Sequence, residues 1–166
     1  MANKFTFLTG TETTTPATPA TGDWSFYFKT DGFYIVDDAG VESGPFGTSP
    51  VEIGIAGSDE TTAIAATGTK VTFRMPHAMT VTDVRASLTT ACATGTFTVD
   101  INESGTSILS TKLTIDATEK TSETAAVAAV ISDTALADDA EITIDVDDVG
   151  DAAATGLKVW LIGTRA

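Results

Sequence analysis

The stretch EITIDVD, residues 141–147, changes from polar to apolar at every step. In an extended chain Ile142, Ile144 and Val146 fall on one face, and Glu141, Thr143, Asp145 and Asp147 on the other. A period of two describes a half-buried strand, not an amphipathic helix. The pattern recurs along the chain. TKVTFRM (69–75) aligns Val71, Phe73 and Met75, and GTFTVDINES aligns Phe97, Val99 and Ile101 before a turn at Glu103-Ser104-Gly105. VTDVRASLTT (81–90) follows a break at Pro76-His77, and GLKVWLIG closes the series. In SILSTKLTID, Ile108 is out of phase with Leu113 and Ile115, which implies a bulge or break near Ser110. The Ala-rich segment 121–139 fits either a helical turn or a buried strand. About eight short strands punctuated by turn residues predict an all-β chain, built as a jelly-roll-like antiparallel β-sandwich.

That pattern begins near residue 50, so the expected organisation is an amino-terminal unit over 1–48 and a sandwich over 49–166. NKFTFL (3–8) suits a short strand. TGTETTTPATPATG (9–22) holds Pro16 and Pro19 and suits an extended linker, or an arm that crosses another subunit. Residues 23–47 carry Trp24, Phe26, Tyr27, Phe28, Phe33, Tyr34 and Phe46. Asp31-Gly32 is a two-residue hairpin turn and Asp38-Ala39-Gly40 a second turn, giving a meander with strands near 24–29, 33–37 and 41–43. Three strands of this size are barely stable alone, so the aromatics need a partner surface. Trp24, Phe26, Phe28, Phe33, Tyr34 and Phe46 are therefore the expected docking residues. A sugar-binding aromatic platform is the alternative reading.

The formal net charge is −14, from 23 acidic and 9 basic residues. Such a surface repels phosphate backbones and anionic lipid, which argues against nucleic acid and membrane as partners. The sequence shows no secretory leader and no apolar run long enough to span a bilayer, so synthesis in a cytoplasm is expected. The single cysteine, Cys92, cannot form an intrachain disulfide, leaving packing or assembly to supply stability.

The acids of 141–151 raise the question of calcium. An EF-hand loop started at Asp145 places Asp147 third, Val149 fifth and Gly156 twelfth, so two ligand positions fail. A looser calcium site from Asp147, Asp148 and Asp151 is the remaining metal reading; otherwise no metal or cofactor is expected. His77 is the sole histidine, and zinc needs more than one His and one Cys. There is no Gly-x-Ser-x-Gly elbow and no phosphate-binding Gly-x-x-x-x-Gly-Lys loop. The chain reads as a non-enzyme. After residue 50 the aromatics are Phe73, Phe97 and Trp160; the first two are in strand phase with Val71 and Val99, and Trp160 fits either core or interface.

The motifs FRMP, VRASL, STKLTID, LADDAEITIDVD and LIGTRA, taken together over residues 67–166, resemble a carboxy-terminal β-domain of virion proteins from tailed bacteriophages, including marine and cyanobacterial phages. FYFKTDGFYIVDDAGVESGP resembles the short hairpin repeats of phage fibre proteins. The resemblance implies a non-catalytic structural protein on the virion surface, usually trimeric, contacting other virion proteins of the tail, baseplate or capsid, with host cell-surface glycan as a further partner. It brings no catalytic residues. A chain without a shaft, heptads or repeat array fits a short tail fibre or fibre tip for host adsorption. A capsid decoration or head-fibre protein is the second expectation, and a calcium-dependent carbohydrate-binding module the third.

Overall fold

The computed structural model describes residues 16–29, 32–46 and 50–166. The chain divides into two compact units, Met1–Ser49 and Pro50–Ala166. The expected strand at 3–8, the first half of the linker and Asp31 of the first turn lie outside the described residues.

The first unit is a three-stranded antiparallel sheet, β1 (Ser25–Lys29), β2 (Gly32–Val36) and β3 (Glu42–Phe46), in that order. Phe26 pairs with Ile35, Tyr27 with Tyr34 and Phe28 with Phe33. The Asp38-Ala39-Gly40 turn is tied by the Asp37 carboxylate, which accepts from Ala39 N–H (3.0 Å) and Val41 N–H (2.7 Å). β3 continues through 46 because Phe46 pairs with Phe33, past the predicted end at 43.

The second unit contains β4 (Pro50–Ala56), β5 (Gly68–Arg74), β6 (Met79–Ser87), β7 (Phe97–Glu103), β8 (Thr106–Ser107), β9 (Leu109–Thr111), β10 (Leu113–Ile115), β11 (Val130–Ile131), β12 (Ala135–Leu136), β13 (Glu141–Val149) and β14 (Lys158–Arg165). Eight of these build two antiparallel sheets, ordered β12-β6-β14-β4 and β10-β7-β13-β5. Taken in chain order as first to eighth, the strands run 6-3-8-1 across one sheet and 5-4-7-2 across the other. Successive strands thus cross from sheet to sheet except at the fourth-to-fifth step, which is the jelly-roll arrangement of two Greek keys.

The alternation in the sequence explains why the sheets close on one another. Phe97, Val99 and Ile101 of β7, Ile142, Ile144 and Val146 of β13, and Val159 and Leu161 of β14 are all fully buried in one core. Fully burying each such side chain contributes roughly 1.5–3 kcal/mol. Two irregularities keep the faces in phase. The β6–β14 register shifts at Ile162/Gly163, so Val81 and Val84 both face inward despite their odd spacing. The β13–β7 register shifts between Val146 and Asp148, which lets Asp147 drop out of the pairing and returns Val149 to the core side.

The chain between 107 and 113 breaks into β8, β9 and β10, as the phase slip at Ile108 predicts. The Ala-rich segment forms a single 3-10 turn, Ser122–Thr124, capped by Thr121, and the short strands β11 and β12. The alternative of a buried strand over AAVAAVI (125–131) fails, because Val127 and Val130 are exposed; the buried side chain of the segment is Leu136 of β12. β4 is not among the expected strands; it lies at a sheet edge, paired only with β14.

Gly163 of β14 has no room for a side chain against β6. A Cβ there would stand 2.0 Å from the Thr80 carbonyl oxygen, which is backbone and cannot swing away. Gly163→Ala should therefore destabilise the sandwich by about 1–3 kcal/mol, read as a lower denaturation midpoint with unchanged m-value. Wild-type stability would show that β6 and β14 can separate at this point.

Candidate functional site

The amino-terminal sheet has two unlike faces. Tyr27, Tyr34 and Val36 are buried. The tyrosine rings stack at 5.7 Å, and Lys29 Nζ sits 4.4 Å from the centre of the Tyr34 ring. Glu42 ties this face together: its carboxylate pairs with Lys29 Nζ (2.7 Å) and accepts from the Tyr27 hydroxyl. The opposite face carries Phe26, Phe28, Phe33 and Phe46. Phe33 is the hub, with its ring centre 5.8 Å from Phe26, 5.3 Å from Phe28 and 6.1 Å from Phe46. Phe26, Phe28 and Phe46 remain 46%, 49% and 46% exposed, and Trp24 just before β1 is 59% exposed.

Five of the six expected docking residues are thus accessible aromatics. Tyr34 is the exception. It lies one residue from Phe33, so the pleat turns it to the buried side, where it serves the unit's own packing. Gly44 marks how tightly β3 approaches: with φ +137°, an added Cβ would meet Tyr34 Cδ1 at 2.7 Å.

The acids expected as the looser calcium site are each otherwise engaged. Asp147 pairs with Lys112 Nζ. Asp148 Oδ1 accepts from Gly150 N–H (2.8 Å), and Asp151 Oδ2 accepts from Ala93 and Thr94 N–H (2.8 and 3.1 Å). Local desolvation pushes the exposed Asp151 carboxyl up, but the amides of Ala93, Ala153 and Thr94 outweigh it and hold the group below the usual carboxylate range. Among the described residues no three His, Cys, Asp or Glu side chains are placed to share a metal ion.

His77 and Cys92 are far apart. His77 precedes β6 and Cys92 follows it, so they lie off opposite ends of a nine-residue strand that spans roughly 30 Å. The Cys92 thiol is buried, donates to the Val149 carbonyl (3.3 Å), and is raised by that burial above its ordinary pKa. The His77 Nε2 is buried without a hydrogen-bond partner.

Two groupings are not apparent in the linear sequence. Asp100, on the outer side of β7, is only 5% exposed. Its Oδ1 accepts from Ile101 N–H (2.9 Å) and the Ser107 hydroxyl (2.6 Å), and its Oδ2 lies 3.1 Å from Lys112 Nζ. Lys112 thus bridges Asp147 and Asp100, and these two carboxylates hold its ammonium above the usual lysine range. The second grouping is a cleft of about 350 Å³ on the outer face of the β4-containing sheet, around Trp160, Arg85, Glu52 and Glu123. A larger cleft of about 680 Å³ lies beside β6 under residues 125–131, where Asp83 and Glu123 are the only titratable side chains.

Removing Lys112 takes away the cation beside the buried Asp100 carboxyl and leaves it the Ile101 N–H and Ser107 hydroxyl. Lys112→Met should cost about 1–3 kcal/mol at neutral pH, measured by denaturant unfolding, and the penalty should shrink in the Asp100→Asn background. Equal penalties in both backgrounds would show that the pair does not interact.

No protein-family model, no curated protein and no solved structure matches this chain.

Proposed function

We propose that this chain is a non-enzymatic structural protein on the surface of a tailed-bacteriophage particle, a short tail fibre or fibre tip that assembles as a homotrimer. The observation that carries the reading is the aromatic face of the amino-terminal sheet. Phe26, Phe28 and Phe46 are about half exposed around the Phe33 hub, on a three-stranded unit of marginal intrinsic stability. Clustered exposed aromatics mark a contact surface. Copies of a chain with net charge −14 repel one another. They associate best through a patch like this one, which carries no charge of its own.

The carboxy-terminal unit supports the same reading. Jelly rolls recur among viral capsid and lectin domains, though fold alone never fixes function. Asp83, Glu123, Glu52 and Arg85 are the titratable residues that line the two clefts. The same aromatic face would equally serve attachment to a capsid, and a decoration protein is the second reading.

The experiment is sedimentation equilibrium of the full chain at micromolar concentration. The expected mass is that of three copies. In Phe26→Ser/Phe28→Ser the trimer should dissociate at least several hundredfold more readily, each lost ring removing about 2 kcal/mol, while the thermal transition of the sandwich stays in place. A monomeric wild type, or a variant as firmly trimeric as the wild type, would overturn the proposal.

A further inference from the structure

Trp160 is the one tryptophan of the second unit, and it does not enter the core. In β14 the inward positions are Val159, Leu161 and Gly163, so Lys158, Trp160 and Ile162 face outward. The register sets Trp160 between Gly54 of β4 and Arg85 of β6. An added Cβ on Gly54 would stand 3.3 Å from the indole Nε1 and 3.5 Å from Cδ1. The pyrrole edge of the ring therefore reaches over Gly54, into the space that a side chain at 54 would take.

Polar groups of fixed direction surround this platform. Arg85 places Nε 2.8 Å from Asp83 Oδ2 and Nη1 3.4 Å from Glu123 Oε2, which holds the guanidinium in place. Glu52 sits across from Ile162, one row from Trp160, and its carboxylate makes no hydrogen bond among the described residues. Ser87 and Thr121 contribute hydroxyls to the same cleft. Glu123 also lines the larger cleft beside β6, so the two spaces adjoin.

We propose that the Trp160–Arg85–Glu52–Glu123 cleft binds a neutral saccharide, with one pyranose ring lying on the indole and the chain continuing past Glu123 along β6. The weakly positive C–H face of a pyranose suits the negative face of an indole. Its hydroxyls both donate and accept, which matches a carboxylate with free acceptors beside an anchored guanidinium. A cleft that combines an aromatic floor with a few fixed polar groups is the general form of a small-ligand site. Charge chooses among sugars. Glu52, Glu123 and Asp83 outnumber Arg85, and the whole chain is acidic, so sialylated or sulfated glycans are repelled. Use of the site in host adsorption rests on the fibre reading; the binding itself does not.

The test is a glycan array that carries neutral oligosaccharides terminating in glucose, galactose, mannose or N-acetylhexosamine, with sialylated and sulfated comparators. It is probed with the full chain and followed by saturation-transfer NMR on the neutral hits. The expected result is binding to a neutral glycan that weakens at least tenfold in Trp160→Ala and in Gly54→Val, which lifts the ring without deleting it, while Trp160→Phe retains most of it. The circular dichroism and trimer mass of each variant should match the wild type. Binding only to anionic glycans, binding indifferent to Trp160, or no binding across the neutral panel would each overturn the proposal. A trimer that binds no sugar would leave the assembly reading intact; a monomer that binds sugar through Trp160 would leave this one intact.

Discussion

The constraint on which the rest of the molecule depends is the closure of two sheets over one apolar layer. Phe97, Val99 and Ile101 face Ile142, Ile144 and Val146 within one sheet, and Val81, Val84, Val159 and Leu161 supply the other. None of these positions tolerates a polar side chain cheaply. Every polar residue between them is therefore forced outward, which is why Asp145 meets Asn102 and Asp147 meets Lys112 on the outer side of β13 and why Trp160 stands on a surface. The outer faces are free to vary in chemistry because the inner faces alone hold the fold. Asp100 shows the limit of that freedom: it points outward yet becomes buried, and Ser107 and Lys112 satisfy it.

The amino-terminal unit faces the opposite problem. Its Tyr27, Tyr34 and Val36 side is buried and tied by Glu42 and Lys29, while the phenylalanine side keeps about half of its aromatic surface in water. A sheet of three short strands gains little from one buried face. The exposed rings are the remaining source of free energy, and it becomes available when another surface covers them. Under the proposed assembly through this face, association and the stability of this unit are one quantity.

Much of the sandwich is legible in the sequence because period-two alternation is a local signal. Ile142, Ile144 and Val146 declare their face without reference to any other strand. The phase slip at Ile108 announces the break that separates β8, β9 and β10. Other features are illegible for a physical reason. β4 begins at a proline and carries Gly54 in its interior, so its propensity is weak, and only pairing with β14 makes it a strand. Tyr34 reads as one more docking aromatic in a list, although its neighbour Phe33 already assigns it to the other face. The Gly54–Trp160–Arg85 row joins residues from three strands distant in sequence. Register across them is set by tertiary packing, so no local pattern reveals that Trp160 has a glycine on one side and an arginine on the other. The burial of Asp100 is equally hidden, since alternation marks it only as outward.

Placement on a virion is the centre of the functional account, and electron microscopy of intact tailed-phage particles carrying this protein tests it most directly. An antibody against the 50–166 unit should label the particle surface, at the tail tip or baseplate for the short-fibre reading. Label spread over the head would move the protein to the capsid while keeping its structural role. Particles that bind no antibody, from lysates in which the soluble protein is abundant, would contradict the account.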